Sequence, residues 1–336
     1  MYCCLWVWLL TFQVVPMDVP QPTATWQVPF IPSMALIKAD GASLLFDDQG
    51  ENGYAYDATG QLTENFTMTP AVNAIYAAPH DSVLVHLGEN LLAQLSNSGA
   101  LLWQMELPAP SVPPQIFGDY LIYTTGQNVL LLDPRDGNAR FSLLHKEKVV
   151  SLDIVGGWIW ISDATGTTVA WEPFSEKKET RLSQQPYSMR HVVRSPLNAL
   201  TLLADDGRLE VKRADEKNMW RRNFHIDVVV PPIYLKGEKH HQILIATKGR
   251  NFFSFGATKG EQLARRLIKG RPLSMVAMGS SSALLITDQI PELLWYNALT
   301  LKFLSQKIDA KIDVSADCAS FLLLVAENGI IRLYQK

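Results

Sequence analysis

Short apolar runs recur along the chain, and residues that favour turns separate each run from the next. One type is almost continuously apolar and occurs eight times, as SLLFDD, SVLVHL, YLIYTT, WIWISD, ALTLLA, QILIAT, ALLITD and FLLLVA. Unbroken apolar runs of this length are typical of strands that are covered on both faces. Pairs such as Asn52-Gly53 and Asp206-Gly207 follow several of them and tolerate the positive φ of tight hairpins. The pattern therefore predicts many short antiparallel strands.

A second run follows each of these at a regular interval. The eight examples are GYAYDA, LLAQLS, VLLLDP, TVAWEP, RLEVKR, NFFSFG, ELLWYN and GIIRLY. Their first residues lie 37 to 43 positions apart. A period of about 40 residues with several strands in each unit is typical of the blades of a β-propeller. Tryptophans at strand positions, such as Trp171 and Trp220, are expected to pack between blades.

The last strand of each unit is more polar, as in ALLWQMEL and MWRRNFH, which suits an outer strand facing solvent. The eighth unit ends at Lys336 without such a strand. The segment Thr25–Phe30 (TWQVPF) resembles Leu102–Leu107 (LWQMEL), which is one of these outer strands. We predict that it completes the last blade and so removes an open sheet edge. The fold class is all-β, a single eight-bladed propeller of four-stranded blades over residues 21–336. The alternative is seven blades and one additional strand.

Two units carry a resemblance to a known family. LLAQLSNSGALLWQMEL (Leu91–Leu107) and VLLLDPRDGNARFSL (Val129–Leu143) resemble the repeat of pyrroloquinoline-quinone-type propellers, in which a glycine-containing turn precedes an outer strand opened by tryptophan. The resemblance extends over residues 25–336 as a degenerate repeat. Within this group the chain resembles the outer-membrane assembly lipoprotein B type, and that resemblance implies a binding scaffold.

The enzymes of the same group imply a different function. Quinoprotein dehydrogenases hold a disulfide of adjacent cysteines beside their cofactor. The only adjacent pair here, Cys3-Cys4, precedes the first blade, which argues against quinone chemistry. With Cys318, the chain has three cysteines, and they cannot form a disulfide framework. No GxxxxGK[ST], HExxH or GxSxG motif occurs. We therefore predict no catalytic residue, no metal and no cofactor.

Residues 1–20 form an apolar segment and a proline-rich linker. The apolar run ends at Pro16 and is shorter than the ~20 residues that a membrane-spanning helix needs. Its length suits a signal peptide or a membrane anchor, although no Lys or Arg precedes it and no A-x-A-like cleavage site follows it. The alternatives are a buried segment or a start codon assigned too early. We expect a periplasmic or membrane-associated protein; the alternative location is the cytoplasm.

Two polar clusters are candidate ligand sites. Glu238, His240 and His241 form the cluster most like a metal site, but they lie on a predicted turn, and we expect a solvated turn there. The turns between second and third strands carry Asp47, Asp48, Glu51, Glu89, Asp163, Asp205, Asp206, Asp288 and Glu327. These carboxylates could attract a cation on one face of the ring. We expect most of them to serve as turn residues.

Charge is segregated along the chain although the net charge is only −3. Residues 1–134 carry twelve acidic side chains and one basic one, Lys38, whereas residues 208–271 carry fifteen basic and six acidic ones. Consecutive blades are neighbours in space, so the ring should have an acidic sector and a basic sector, and such patches orient partners. The predicted partner-binding residues are Arg221, Arg222, Arg265, Arg266, Lys269 and Arg271.

The leading functional hypothesis is a non-catalytic scaffold, monomeric, that binds a protein partner through propeller loops or through the basic rim of blades five and six. That partner could belong to a membrane complex, and residues 1–16 could add membrane association. Alternative interpretations of the rim are a docking surface for an anionic membrane and a solvated charged surface. Nucleic acid is not expected, because aromatic stacking residues are not interleaved there. The rival hypothesis is a hydrolase, lyase or dehydrogenase with its site at the mouth of the central channel.

Overall fold

The computed structural model shows eight four-stranded antiparallel sheets arranged as an eight-bladed β-propeller. It describes residues 20–336 except 81, 97, 156, 166, 175–178, 185–188, 195–198, 205, 214–217, 226, 229, 289–291 and 319. Within this part of the chain the regular elements are all strands. The predicted fold class is confirmed, and the seven-bladed alternative is wrong.

Strand β1 (Ala24–Gln27) precedes the first blade in the chain. Blade one contains β2 (Met34–Ile37), β3 (Ser43–Phe46), β4 (Asn52–Tyr56) and β5 (Leu62–Thr67). Blade two contains β6 (Val72–Ala77), β7 (Val83–Leu87), β8 (Leu91–Leu95) and β9 (Leu101–Glu106). Blade three contains β10 (Gln115–Phe117), β11 (Tyr120–Thr125), β12 (Asn128–Leu132) and β13 (Ala139–Leu144). Blade four contains β14 (Val149–Val155), β15 (Trp158–Asp163), β16 (Thr167–Trp171) and β17 (Glu179–Gln184).

The second half of the ring repeats this order. Blade five contains β18 (Met189–Arg194), β19 (Ala199–Ala204), β20 (Arg208–Arg213) and β21 (Asn218–Asn223). Blade six contains β22 (Ile233–Lys236), β23 (His241–Ala246), β24 (Asn251–Gly256) and β25 (Gln262–Leu267). Blade seven contains β26 (Pro272–Met278), β27 (Ser282–Thr287), β28 (Glu292–Asn297) and β29 (Lys302–Lys307). Blade eight contains β30 (Ile312–Asp317), β31 (Phe321–Ala326) and β32 (Ile330–Gln335), and β1 is its fourth strand.

The N-terminal strand closes the ring, as the sequence predicts. β1 pairs antiparallel with β32, with Ala24 opposite Leu333 and Gln27 opposite Ile330. The strand starts one residue before the predicted Thr25 and ends at Gln27, although the amide of Val28 still donates to the carbonyl of Gly329 at 3.0 Å. Pro29 comes next and has no N–H, so it cannot continue the ladder as a donor.

The core lies between blades, where each sheet packs against the next. First strands of neighbouring blades contact one another, as β2 contacts β6 and β30, and they therefore surround the central axis. The second and third strands are almost fully buried, for example Leu244 and Leu285 in the cluster between blades six and seven. Successive residues of one strand contact the blade on one side and the blade on the other in turn, because successive side chains point to opposite faces of a sheet.

Outer-strand tryptophans dock on glycine turns of the next blade. The indole N–H of Trp103 donates to the carbonyl of Pro134 at 2.8 Å, and that of Trp220 donates to the carbonyl of Ala257 at 2.9 Å. A Cβ at Gly260 would lie 2.5 Å from the ring of Trp220, and this glycine has a φ of +69°. The turn therefore needs glycine for its backbone and for its contact, which gives the glycine and tryptophan of the repeat a structural role.

Antiparallel pairing fixes which loops share a face of the ring. The connections between blades and the turns between second and third strands lie on one face, here named the connecting face. The remaining turns lie on the opposite face. The apolar segment predicted as an anchor, with Cys3 and Cys4, lies outside the described residues, and the domain boundary at residue 21 stays a prediction. In the part of the chain that is described, no helix is long and apolar enough to cross a membrane.

Candidate functional site

The six predicted partner-binding residues lie in one sector of the ring. Arg221 and Arg222 are in β21 and Arg265 and Arg266 are in β25, which are the outer strands of blades five and six. Lys269 and Arg271 follow in the connection to blade seven. All are exposed except Arg266, which is half-buried. These six residues are named the basic rim.

Two arginines of the rim lie over aromatic rings at the seam between blades five and six. The guanidinium carbon of Arg222 lies 5.7 Å from the ring centroid of Phe255, and that of Arg265 lies 5.5 Å from the centroid of Phe253. Arg222 also donates to the carbonyl of Gly260 at 3.0 Å. A cation over a ring face is attracted to the ring quadrupole, with about 0.5–1 kcal/mol at exposed sites. These contacts orient both guanidinium groups along the seam.

The rings beneath these arginines form one cluster. The ring centroids of Phe224 and Phe253 are 5.3 Å apart, and those of Trp220 and Phe255 are 6.1 Å apart. Phe255 is buried, while Phe224 and Phe253 are half-buried. Aromatic rings and arginine are the residue types enriched in protein interfaces. The composition of this seam therefore resembles the core of an interface.

A cleft of about 390 Å³ opens at the next seam, between blades six and seven. Its polar lining is Arg266, Lys269, Thr287, Glu292, Ser305 and Lys307. These residues are named the basic cleft. The buried Ile268 and Leu294 form its apolar part. The alternation of side chains along β29 explains why Ser305 and Lys307 line the cleft. Phe303 of this strand packs toward blade six, and residues two and four positions further along point to the same face of the sheet.

The charges of the basic cleft are not compensated. Three cations face one carboxylate, and among the described residues none of the four forms an ion pair. Other basic residues nearby are paired, as Lys212 with Glu210 at 3.4 Å and Lys248 with Asp227 at 3.6 Å. The three cations of the basic cleft, in contrast, lie unpaired at the connecting face beside blade seven.

One exposed leucine lines the basic cleft. Leu267 is 71% exposed. Single exposed apolar side chains are ordinary on protein surfaces. Here Leu267 lies next to unpaired cations, so the surface offers apolar and cationic contacts together.

Some of the acidic residues in the turns between second and third strands accept hydrogen bonds from backbone amides. Asp47 accepts hydrogen bonds from the amides of Glu51 and Asn52 and from the side chain of Asn52 at 2.6 Å. Partial burial raises the pKa of this carboxyl, and the hydrogen bonds from Asn52 outweigh that effect and hold the pKa below its usual value. Asp288 accepts from the amide of Arg271 at 2.7 Å. Asp205 lies outside the described residues.

Asp163 is the one member of this acidic set that the structure buries completely. It accepts from the amides of Thr165 and Thr167 at 2.9 Å, and its second oxygen lies 3.2 Å from Nδ1 of His145. His145 is also buried and belongs to the connection between blades three and four. This contact ties that connection to the turn that follows β15, which is a structural role.

The other candidates do not converge on a reactive group. Glu238 and His240 are exposed in a turn closed by the bond from the amide of Gly237 to the carbonyl of His240, and His241 opens β23. The described residues contain no cluster of three or more metal-ligating side chains. The innermost strands of blades one, two and seven are mainly apolar or small, as in MALI, VNAIYA and PLSMVAM. Those of blades four, five and eight are more polar and include Asp153, His191 and Asp313.

Sequence reasoning missed four residues of the basic cleft: Thr287, Glu292, Ser305 and Lys307. They belong to blade seven, and the charge segregation drew attention to blades five and six. A signal was present, since aligning the outer strands by their alternation places Ser305 and Lys307 on the face toward blade six. Thr287 is the last residue of β27 and Glu292 is the first residue of β28. Such positions recur in every blade, so they give no indication of a ligand site in the sequence.

Solved structures share this architecture. BamB from Moraxella catarrhalis superposes with a TM-score of 0.72 at 12% identity, covering 95% of this chain and all of that one. Saccharomyces cerevisiae Sqt1 gives a TM-score of 0.72 at 8% identity, with 95% and 100% coverage. The computationally designed protein Ika8 gives 0.70 at 11% identity, with 94% and 100% coverage. At these identities the similarity shows the fold alone.

The sequence does not identify a family for this chain. No protein-family model matches the chain, and no curated protein matches it significantly. The similarity to BamB agrees with the β-propeller implied by the resemblance in the repeat, whereas membership of the pyrroloquinoline-quinone-type family stays a prediction. The chain is an eight-bladed β-propeller whose most distinctive surface is the basic rim and the adjoining basic cleft.

Proposed function

We propose that this propeller is a non-catalytic interaction scaffold that binds an acidic protein partner through the basic rim. The observation that carries the proposal is the concentration of six cations on one sector, with two arginines over an aromatic cluster. Charged residues around an aromatic centre provide orientation at the edge and contact area in the middle. The similarity to BamB and Sqt1 supports a scaffold by analogy of fold.

The proposal includes a location. The apolar segment before residue 20 would direct the chain out of the cytoplasm or hold it at a membrane, with a monomeric ring presenting the rim to a membrane complex. The length of the segment supports this part of the proposal. Comparing the mass of the protein purified from its native source with the mass of the full chain tests whether the segment is retained.

The main test is affinity purification from the native source, followed by mass spectrometry. The variant replaces Arg221, Arg222, Arg265 and Arg266 by glutamate, which reverses the charge of the rim. We expect at least one protein that is retained by the wild type to be lost from the variant. Circular dichroism and the melting temperature should show that the ring remains folded.

A matched control separates position from net charge. Lys259 and Lys302 are exposed and lie at the opposite face, in or next to turns between third and fourth strands. Replacing both by glutamate should leave the retained proteins unchanged. Identical partner profiles for the wild type and the four-arginine variant would contradict the proposal.

A further inference from the structure

We propose that the basic cleft binds carboxylate side chains of an acidic, partly apolar peptide segment of a protein partner. This rests on the proposed function, because it assigns the chemistry of the partner to one part of the same sector. The cleft is a concave site between two blades, and its cations come from three different elements. Arg266 belongs to β25, Lys269 to the connection between blades, and Lys307 to β29.

The basic cleft carries an excess of positive charge. Arg266, Lys269 and Lys307 face one carboxylate, that of Glu292, and no described acid forms an ion pair with any of them. Glu292 lies directly opposite Lys307 in the ladder between β28 and β29, yet no ion pair forms between the two side chains. A second carboxylate entering the cleft would therefore meet unpaired cations. Charge-assisted hydrogen bonds to such groups are about twice as strong as neutral ones.

The guanidinium group of Arg266 is held in place by a neighbouring ring. Its guanidinium carbon lies 5.2 Å from the ring centroid of Phe303, and Phe303 packs in the core between blades six and seven. The ring covers one face of the guanidinium group, and its N–H donors have no acceptor among the described residues. A guanidinium group held in this way can take a carboxylate in two parallel hydrogen bonds with little loss of side-chain freedom.

The neutral part of the cleft lining offers hydroxyl groups. Thr287 is only 6% exposed, and within the described part of the chain its hydroxyl makes no hydrogen bond. Ser305 adds a second hydroxyl from the neighbouring blade. Hydroxyl groups can donate to an anion whose charge the cations neutralise. Leu267, which is 71% exposed, offers an apolar contact at the margin.

These features favour a peptide over a membrane surface. A planar anionic membrane would contact protruding cations, whereas Arg266 is half-buried inside the cleft. A volume of about 390 Å³ admits one or two side chains rather than a folded surface. The exposed leucine beside the cations matches a segment in which acidic residues stand next to an apolar one.

The test is fluorescence anisotropy with the full chain and a fluorescein-labelled peptide rich in glutamate that contains one leucine. The same peptide with glutamine in place of glutamate, a phosphoserine peptide and vesicles containing an anionic phospholipid serve as comparison ligands. We expect the glutamate peptide to bind, its glutamine counterpart to lose binding, and added salt to weaken binding. Arg266→Gln and Lys307→Gln should each weaken binding by about tenfold. Lys302→Gln, on the same strand but outside the cleft, should leave it unchanged.

Glu292→Gln provides the sharpest readout, because damage to the fold cannot mimic it. Removing the only carboxylate of the cleft should strengthen binding of the glutamate peptide by several-fold. Unchanged affinity in Glu292→Gln, or in both Arg266→Gln and Lys307→Gln, would overturn the inference. Binding of the phosphoserine peptide or the vesicles without binding of the glutamate peptide would overturn it as well. Failure of the proposed function would give a different result from failure of this inference. The proposed function fails if the four-arginine variant retains the same proteins as the wild type.

Discussion

The seam between blades one and two has the same backbone architecture as the seam between blades six and seven, but its side chains are different. Ladder register places Phe66 where blade six has Arg266, Leu87 where blade seven has Thr287, and Glu106 where blade seven has Lys307. Leu91 takes the place of Glu292 by the same register. At the end nearer the connecting face, the first seam is therefore apolar with an acidic margin, whereas the second is polar and basic.

The comparison shows that the basic cleft results from side-chain replacement and not from a change of fold. At the first seam Phe66 packs edge-on against Phe46, with ring centroids 5.9 Å apart, and contacts the turn at Gly99. At the other seam the equivalent Arg266 lies over Phe303 and presents hydrogen-bond donors. A repeat protein can thus specialise one seam while the others keep their packing.

The largest effect should come from installing the residues of the first seam at the second. The triple variant Arg266→Phe, Thr287→Leu and Lys307→Glu should weaken binding of the glutamate peptide by about a hundredfold or more, because it removes two cations and adds a carboxylate. The melting temperature should stay the same or rise. Retained peptide affinity, measured by fluorescence anisotropy, would show that binding occurs elsewhere.

The apolar seam should respond to a single methyl group. Gly99→Ala would place a Cβ 2.5 Å from the ring of Phe66 at a φ of +76°, so we expect a loss of about 2–3 kcal/mol in the free energy of unfolding. Gly126→Ala is the matched control, since its φ is +58° and no atom lies within 4 Å of the added Cβ. It should cost only the backbone strain, about 1 kcal/mol. Equal losses in urea unfolding would contradict the role assigned to Phe66.

The stabilising contribution of Asp133 in blade three should be lost as the pH falls. Hydrogen bonds from Arg135, and then from Arg140, hold the pKa of Asp133 well below its usual range, although burial opposes them. The folded state therefore binds fewer protons than the unfolded state. The stabilisation is present above the unfolded carboxyl pKa of about 4 and is lost as the pH falls below it.

Asp133→Asn tests this assignment. The variant should lower the free energy of unfolding by about 1–2 kcal/mol at pH 7 and should melt closer to the wild type at pH 3. Melting temperatures measured from pH 7 to pH 3 give the result. Parallel curves for the two proteins over the whole range would contradict the role of Asp133.

Most of the fold could be predicted from the sequence because a propeller repeats one local pattern. The apolar runs such as SLLFDD and QILIAT form strands that are covered on both faces, and the spacing of these runs is sufficient to predict eight blades. The closing strand could be found because Trp26 repeats the position of Trp103 in an outer strand. The similarity to Leu102–Leu107 placed the end of the closing strand too late, because Pro29 interrupts the ladder of backbone hydrogen bonds before the end of the similar segment.

The candidate site was predictable only in part. Arg221, Arg222, Arg265 and Arg266 are visible as charges in outer strands, and the structure places them there. Their aromatic partners and the basic cleft depend on which faces of adjacent blades meet. Phe303 lies almost forty residues beyond Arg266 in the chain, and a single sequence gives no direct sign of such a contact.

Ring closure by β1 has a consequence for synthesis. The blades are completed one after another as the chain leaves the ribosome, but blade eight needs strands from both ends. β1 must wait without its partner until β32 has been made, since Ala24 pairs with Leu333. The synthesis of β32 therefore decides when the ring becomes a closed unit, and a nascent chain that has not yet made β32 would expose both Trp26 and the edge of β31.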